Sequence, residues 1–269
     1  MDKLQQNRYT LTGAVLKNIA CFTMLTDHFF AILLYNYMRL HPVNGAWDPQ
    51  LEKVYRMGRA VGRISFILFA YLIVEGVIYT GSRGRYLLRL FLFALLSEIP
   101  FDLAFSGKAV DWSAQNIYWT LFLGALTLTL WEQLGRYRCV WLRELRWVVV
   151  TGACMAAFQF AFDYRFMGIL LIFVLYQTHG KPLGISLCAS GIIMFSGTWM
   201  ANLIRYGDSF TAAYLFRFSL REMYGLFAFI PIFLYNGKRG RQLPKPFYYG
   251  FYPAHLLLLY GTAKIIGVM

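Results

Sequence analysis

The chain has 269 residues, of which 58% are hydrophobic and 19% aromatic, and only 14% are charged. A soluble domain carries about 25% charged residues, so this composition excludes an ordinary soluble domain and indicates a membrane protein. The formal net charge of +13 does not indicate a nucleic-acid partner. The basic residues lie between apolar runs, where they act as topology signals and contact the anionic headgroups of the lipid bilayer.

Cysteine spacing and sequence motifs give no sign of metal or nucleotide chemistry. The four cysteines are scattered, with no C-x-x-C pair and no histidine at metal-ligand spacing, so we expect neither disulfides nor a bound metal. The sequence contains no P-loop, nucleophile elbow or glycine-rich dinucleotide fingerprint. The first apolar run is too long for a signal-peptide core and lacks a small-residue cleavage site, which predicts an uncleaved first span.

Apolar runs of membrane-spanning length follow one another along the chain. A span needs roughly 20 apolar residues. Candidate helices lie near 16–38, 60–80, 87–105, 116–134, 147–162, 166–178, 183–204, 222–235 and 250–268. The sequence "DYRF" at 163–166 interrupts one run and predicts a tight helical hairpin or a partly re-entrant segment. We predict an all-α, polytopic transmembrane helical bundle of eight or nine spans, in a single domain over residues 1–269 because no repeat or linker divides the chain.

The distribution of basic residues predicts a cytoplasmic N-terminus. In this orientation fifteen of the 26 Lys and Arg residues are cytoplasmic and eleven are outside, which agrees with the positive-inside rule. Five of the outer residues fall in one loop and the helix entry after it, at Arg39, Lys53, Arg56, Arg59 and Arg63. This local exception needs another reason, and function is a candidate.

Polar side chains lie at or above the midplane of several predicted spans, on the outer side. They are Asp27 and His28 in the first span, Arg59 and Arg63 in the second, Glu98 and Asp102 in the third, Asn116 at the start of the fourth, and Asp163 with Tyr164 at the end of the fifth. A charged side chain at the bilayer centre costs roughly 2.5–3.5 kcal/mol, so such groups normally face the bundle interior or a water-filled cavity. An antiparallel bundle would gather them in its outer half.

Some of these polar residues also have a structural interpretation. Arg63 could form only an interhelical ion pair with Glu98 or Asp102, and Asn116 is as consistent with a helix N-cap as with a ligand contact. His255 follows an aromatic cluster in "FYPAHLLLL", where a residue of the interfacial aromatic belt is slightly favoured over a catalytic one.

His28 is the strongest candidate for chemistry. Its imidazole titrates near neutral pH, which suits proton transfer, and the structural alternative is a neutral core histidine hydrogen-bonded to a carbonyl. Asp27 lies about 100° round the helix from His28, so the two do not easily share one face. Asp27 is expected to pair with Arg59, Arg63 or another helix, or to orient a water. A carboxylate that orients His28 would then come from elsewhere in the chain.

Six blocks of the sequence resemble the TraX family, integral membrane proteins named for the conjugative pilin acetylase. They are "LKNIACFTMLTDHF", "RAVGRISFILFAYLIVEG", "YLLRLFLFALLSEIPFDLAF", "QNIYWTLFLGALTLTLWE", "DYRFMGILLIFVLY" and "FYPAHLLLLY". Their order and spacing are similar over about residues 16–260, and "SEIPFDL" and the "DH" of the first helix are the most specific. The chain departs from the family pattern at Ile67, where a proline after an aromatic is expected, and at Arg165, where a glycine is usual.

The resemblance implies a transferase of the bacterial cytoplasmic (inner) membrane that moves an acetyl or acyl group from acetyl-CoA to an amine or hydroxyl. In the namesake the acceptor is the N-terminal amine of pilin, and the alternatives here are a sugar, a lipid or another peptide, as in related multi-span acyltransferases. The polar positions that match the family are Asp27, His28, Arg59, Arg63, Glu75, Glu98, Asp102, Asn116, Asp163 and His255.

Acyl transfer needs a base for the acceptor and donors for the developing oxyanion. We predict His28 as the general base, Arg63 or Asn116 as the oxyanion donor, and Asp27 as the remaining member of the catalytic set. An acyl-His28 intermediate is the alternative chemistry. The predicted substrate-binding residues are Arg59, Glu98, Asp102, Asp163, Tyr164 and His255.

The phosphates of acetyl-CoA would need cations on the cytoplasmic side. Arg83, Arg85 and Arg89 form the nearest cluster, although the favoured interpretation of these residues is as plain topology determinants. Glu75 is expected to pair with Arg85 or Arg89 across the "TGSRGR" turn.

Two other functions compete with acyl transfer. One is a proton-coupled transporter in which His28, Asp27, Glu98 and Asp102 form a relay, although the chain has no repeat of the kind many transporters carry. The other is a non-enzymatic membrane chaperone that grips pilin or another secreted partner.

Overall fold

A computed structural model of the protein describes residues 10–206, 211–241 and 243–269. Over these ranges the regular structure is helical, with isolated bridges and no strand, which confirms the predicted all-α class. Lys3 and Arg8, two of the cytoplasmic basic residues in the predicted orientation, lie outside the described residues.

The first helix is interrupted close to its polar residues. Helix α1 (Gly13–Phe29) continues through a π-helical turn (Phe30–Leu34) into α2 (Tyr35–Leu40). The next helices are α3 (Pro49–Tyr79), α4 (Arg83–Ser106), α5 (Ile117–Gly135), α6 (Val140–Gln159), α7 (Arg165–Gln177) and α8 (Leu183–Tyr206). The last are α9 (Ala212–Glu222), a 3-10 turn (Met223–Ala228), α10 (Phe229–Phe233) and α11 (Lys245–Ile265).

The structure corrects two of the predicted helix boundaries. Helix α3 begins at Pro49, well before residue 60, because the Asp48 carboxylate accepts hydrogen bonds from the backbone N–H groups of Gln50 (2.8 Å) and Leu51 (3.0 Å) and caps a polar first turn. The predicted helix at 222–235 is helical but is not one α-helix, since this run forms the 3-10 turn and the short α10. The unpredicted α9 precedes it, and its mixed apolar and basic residues do not give a continuous apolar run.

The structure does not support eight or nine spans. Within the described residues, only Gly13–Leu40, Pro49–Tyr79 and Leu183–Ile204 are long and apolar enough to cross a membrane. Helix α7 has 13 residues and is therefore about 20 Å long, against about 30 Å of hydrocarbon. Helix α4 contains Pro100 and several charged residues. Shortness in α7 and charge in α4 thus account for part of the difference, and the three apolar helices indicate a membrane protein.

The described residues divide into two compact units. The first unit comprises the described residues up to Leu68 together with Ser97–Asp111 and Tyr224–Met269, and the second comprises Phe69–Leu96 and Trp112–Met223. Helices α3 and α4 each contribute residues to both units.

In the first unit, the N-terminus of α1 is held by the segment that precedes α11. The N–H groups of Gly13 and Ala14 donate to the carbonyls of Lys238 (2.8 Å) and Arg239 (2.9 Å), which satisfies donors that have no partner inside their own helix. The Tyr248 hydroxyl of α11 donates to Asn18 Oδ1 of α1 at 2.9 Å. These bonds fix α1 against α11, the two helices that carry His28 and His255.

In the second unit, α6 and α7 form the tight hairpin that the "DYRF" interruption predicts. Ala153, Ala157 and Ile169 form a buried apolar cluster between them. The turn places Ala161, Tyr164 and Arg165 at positive φ, at 52°, 59° and 45°. Since left-handed backbone favours glycine, the position of Arg165 explains why a glycine is expected there from the family pattern.

Candidate active site

Asp27 of α1 and Arg59 of α3 form a buried ion pair in the first unit. Arg59 Nη1 lies 2.5 Å from Asp27 Oδ2, and the two side chains are only 19% and 12% exposed. Asp27 Oδ1 is buried and accepts no hydrogen bond within the described part of the chain. The prediction that Asp27 pairs with Arg59 or Arg63 is thereby confirmed for Arg59.

Two glycines of α3 allow this close approach of the helices. A Cβ atom at Gly62 would overlap the Asp27 side chain, and one at Gly58 would overlap the Phe30 ring. Sequence reasoning missed both residues, although "GRAVG" is a G-x-x-x-G pattern, which is typical of membrane helices whose backbones pack closely. Gly62 therefore belongs to the site, because it lets the Asp27 carboxylate lie against the α3 backbone beside Arg59.

His28 is hydrogen-bonded to a second histidine. Its Nδ1 lies 2.6 Å from His255 Nε2 of α11, and the two rings are nearly parallel, with an interplanar angle of 10°. The Nδ1 of His255 in turn lies 2.7 Å from the Phe251 carbonyl oxygen, one helical turn earlier. The group that orients His28 is therefore an imidazole, whereas the sequence suggested a carboxylate from elsewhere.

Aromatic side chains surround the two histidines. The ring centroids of Phe105 and Tyr252 lie 5.5 Å and 5.8 Å from that of His28, in edge-on contacts, and Phe251 stacks on His255 at 5.0 Å. His255 itself is buried, with 6% of its surface exposed. This position inside the first unit contradicts the interfacial-belt interpretation of His255.

The second nitrogen of His28 remains available. His28 is half-buried, and its Nε2 makes no hydrogen bond within the described residues. That atom is not one of the fully buried, unpartnered polar atoms of those residues. An imidazole that is held by one nitrogen and open at the other has the arrangement of a general base.

The other predicted residues of the first unit are Arg63, Glu98 and Asp102. Arg63 and Glu98 are half-buried. Asp102 is 3% exposed, and its Oδ2 accepts the backbone N–H of Asp111 at 2.8 Å. Asp102 makes no ion pair within the described ranges, so of the two predicted partners of Arg63, Glu98 and Asp102, the second is wrong. The carboxylate instead closes the loop that follows α4.

Asn116, Asp163 and Tyr164 belong to the second unit, where their bonds organise helix ends. Asn116 is fully buried, accepts the N–H of Tyr118 as the N-cap of α5 (2.9 Å), and donates to the Ala94 carbonyl (2.8 Å). The predicted N-cap is therefore confirmed. The Asp163 carboxylate accepts the N–H of Tyr164 at 3.0 Å. The Asp163 carbonyl accepts the Thr120 hydroxyl at 2.5 Å.

The second unit also contains an ionic cluster that the sequence did not predict. Glu132 Oε2 lies 2.5 Å from Arg83 Nη2, and Glu132 Oε1 accepts the Tyr176 hydroxyl at 2.9 Å. We call Arg83, Glu132 and Tyr176 the Glu132 cluster. Its signal in the sequence is a lone acidic residue near the end of an apolar helix.

The remaining polar residues of the second unit are Glu75, Arg85 and Arg89. Glu75 Oε1 lies 2.7 Å from His179 Nε2, a partner that differs from the predicted Arg85 or Arg89. Arg85 is exposed, whereas Arg89 is half-buried and its Nε has no hydrogen-bond partner within the described residues. Arg85 and Arg89 lie one turn apart on α4 and form no ion pair in the part of the chain that the structure describes, whereas Arg83 is paired with Glu132.

Comparison with known proteins identifies one family. A family model described as TraX protein matches residues 12–263, nearly the whole chain and all of the residues above. No curated protein and no solved structure matches the chain significantly.

Proposed function

Because the chain belongs to the TraX family, we propose that it is a membrane-embedded transferase that moves an acetyl group from acetyl-CoA to an amine or hydroxyl at the membrane. The observation that carries the proposal is His28, whose Nδ1 is fixed by His255 while its Nε2 is open. Family membership adds a role in conjugative pilin processing, so the proposed acceptor is the N-terminal amine of a pilin subunit.

The chemistry requires His28 to take one proton and return it. The acceptor binds as the free amine, and its nitrogen bonds to the thioester carbonyl carbon while an N–H proton passes to His28 Nε2. The tetrahedral intermediate then expels the CoA thiolate as the C–S bond breaks, and the thiolate sulfur takes the proton from Nε2. The products are the acetylated amine and CoA, and His28 ends neutral.

The Asp27–Arg59 pair supplies rigidity beside this base. Asp27 precedes His28 in α1 and is paired with Arg59 of α3. His28 is therefore held by α1 and α3 as well as by its hydrogen bond with His255. Rigid positioning of reacting groups accounts for much of the rate in acyl transfer. Arg63 lies one turn beyond Arg59 on α3, and its guanidinium group is the proposed oxyanion donor. Asn116 is less suited, because its amide is engaged with Tyr118 and Ala94.

For the acetyl-CoA phosphates, the proposed ligands are Arg85 and Arg89. Their chemistry fits, since guanidinium groups bind phosphate oxygens in pairs, and the Arg89 Nε lacks a hydrogen-bond partner within the described ranges. The Arg83 guanidinium fits less well because Glu132 neutralises it. A cytoplasmic N-terminus would place the α3–α4 turn, and these arginines, on the side where acetyl-CoA is made.

The proposal is tested by incubating membranes that contain the protein with isotopically labelled acetyl-CoA and a pilin peptide with a free N-terminus. Mass spectrometry then reports which molecule gains the label. We expect N-terminal acetylation by the wild-type protein and a loss of about 10²- to 10⁴-fold in His28→Ala, since that is the usual contribution of a general base.

His41→Ala is the matched control, because His41 is exposed and, within the described residues, its side chain is hydrogen-bonded to the end of its own helix. It is expected to retain wild-type transfer. If the label appears on a membrane sugar or lipid, the acceptor is not pilin but the protein is still an acetyltransferase. The proposal would be contradicted if wild-type membranes transferred no label. It would also be contradicted if pilin were still acetylated in cells carrying His28→Ala. Either result would favour a transporter or a chaperone.

A further inference from the structure

His255 occupies the position that a carboxylate often takes beside a catalytic histidine, and its hydrogen bonds determine where the protons lie. The Phe251 carbonyl oxygen can only accept, so the His255 Nδ1, 2.7 Å away, carries a hydrogen and donates it. In a neutral His255 the Nε2 is then an acceptor. The partner at 2.6 Å, His28 Nδ1, must therefore be the donor.

This chain of donors fixes the tautomer of His28. With a hydrogen on Nδ1, a neutral His28 has its lone pair on Nε2, the atom that has no partner within the described residues. A histidine side chain in water favours the opposite tautomer, with the hydrogen on Nε2. That form would present a donor to the acceptor substrate and could not remove its proton. The structure thus holds His28 in the less common form, which is the form that a base needs.

We propose that His255 is a positioning residue that accepts the Nδ1–H of His28 and thereby makes Nε2 the reacting nitrogen. The catalytic part of this inference rests on the proposed acetyl transfer, whereas the tautomer itself does not. When Nε2 takes the acceptor proton, His28 becomes an imidazolium whose Nδ1–H remains bonded to His255 Nε2. The charge is then shared with a neutral partner, and no additional buried carboxylate is needed.

The same arrangement retains the proton at His28. A proton passed on to His255 Nε2 would make His255 an imidazolium, and the charge could move further only by loss of the Nδ1–H. Within the described residues that N–H is bonded to the backbone oxygen of Phe251, which cannot carry a proton further. The pair therefore returns its proton through Nε2. A group that takes and returns a proton at one atom suits acyl transfer, whereas a transport relay needs a proton exit on the other side.

The test combines nitrogen NMR with transfer kinetics on the full-length protein in nanodiscs. The chain has four histidines, so labelling the ring nitrogens of all histidines gives a small set of signals, which His28→Ala and His41→Ala assign. Ring-nitrogen shifts distinguish the two neutral tautomers. Above the titration range of the histidines, we expect His28 to carry its hydrogen on Nδ1 in the wild-type protein and on Nε2 in His255→Phe.

Two amide variants of His255 separate the role of its hydrogen-bond-accepting Nε2 atom from the role of its side-chain volume. In His255→Gln the amide oxygen reaches the place of Nε2 and can accept from His28, while in His255→Asn the shorter amide stops near the place of Nδ1. We expect His255→Phe and His255→Asn to lower kcat about 10- to 100-fold with an unchanged KM for acetyl-CoA, as for the partners that orient histidines at metal sites. His255→Gln is expected to recover most of kcat and the Nδ1–H tautomer.

The outcomes distinguish this inference from the proposed function. A wild-type His28 with its hydrogen on Nε2, or a tautomer unchanged in His255→Phe, overturns the inference even where transfer is observed. Equal kcat in the Gln and Asn variants also overturns it. An Nδ1–H tautomer that depends on His255, in a protein that transfers no acetyl group, supports the pairing and refutes the acetyltransferase.

Discussion

The His28 cluster (Asp27, His28, Arg59 and His255) and the Glu132 cluster contain similar side chains but differ in how completely their atoms are paired. In the Glu132 cluster both carboxylate oxygens are bonded, one to Arg83 and one to the Tyr176 hydroxyl. In the His28 cluster, His28 Nε2 and Asp27 Oδ1 have no partner within the described residues. Within the described residues, the two clusters therefore differ in whether an atom is left without a partner more than in the number of their charges, and the proposed activity rests on that atom.

The largest expected difference between the clusters follows from removing one arginine from each. Arg59→Gln leaves the Asp27 charge uncompensated, and breaking a buried pair in this way costs about 3 kcal/mol of folding free energy. Arg83→Gln removes a more exposed pair, with side chains 26% and 20% accessible, and is expected to cost about 1 kcal/mol. Thermal unfolding in detergent measures both effects. Acetyl transfer is expected to fall only in Arg59→Gln.

The double variant Asp27→Asn with Arg59→Gln checks the assignment. It replaces the ion pair by two amides that can bond to each other, and it is expected to recover part of the lost stability, with a coupling free energy of about 1–3 kcal/mol. Additive effects of the two substitutions would show that the pair does not hold α1 to α3. Loss of transfer in Arg83→Gln would remove the distinction between the clusters.

The helical class, and Arg59 as one of the possible partners of Asp27, followed from the sequence because both depend on local features. Apolar runs predict helices regardless of how they pack, and a buried carboxylate needs a cation that the next polar helix start provides. The pairing of His28 with His255 could not be predicted in this way, since 227 residues separate the two and only the packing of α11 against α1 brings them together. The start of α3 could not be predicted from apolar runs, because the Asp48 cap extends the helix into polar sequence.

A smaller expected effect concerns the contact that the two glycines allow. Gly62→Ala would drive a methyl group into the Asp27 carboxylate, and overpacking of this kind costs about 1–3 kcal/mol. Gly152→Ala is the matched control, because a Cβ atom there meets nothing within 4 Å and alanine is the better helix former by about 1 kcal/mol. Thermal unfolding of the two variants should therefore shift in opposite directions, with transfer reduced only in Gly62→Ala. A Gly62→Ala protein that is as stable as wild type would show that α1 and α3 tolerate a wider separation.

The smallest expected effect lies in the second unit, at the hairpin between α6 and α7. Arg165 has a φ of 45°, a conformation that costs a non-glycine residue about 1–2 kcal/mol, and its guanidinium group lies 5.4 Å from the centroid of the Phe158 ring. Arg165→Gly relieves the backbone but loses the cation–π contact, which is worth about 0.5–1 kcal/mol at an exposed site. The net gain in folding free energy is therefore between about 0 and 1.5 kcal/mol.

Comparison with Arg165→Ala isolates the backbone contribution. Both variants lose every contact of the side chain beyond Cβ, so the difference in their unfolding free energies reports the cost of a Cβ atom at positive φ. We expect the glycine variant to be the more stable by about 1 kcal/mol, measured as a higher unfolding temperature in the same detergent, with transfer unchanged in both. An alanine variant of equal or greater stability would mean that the hairpin adopts another backbone conformation. The departure from the family's glycine would then cost the chain nothing.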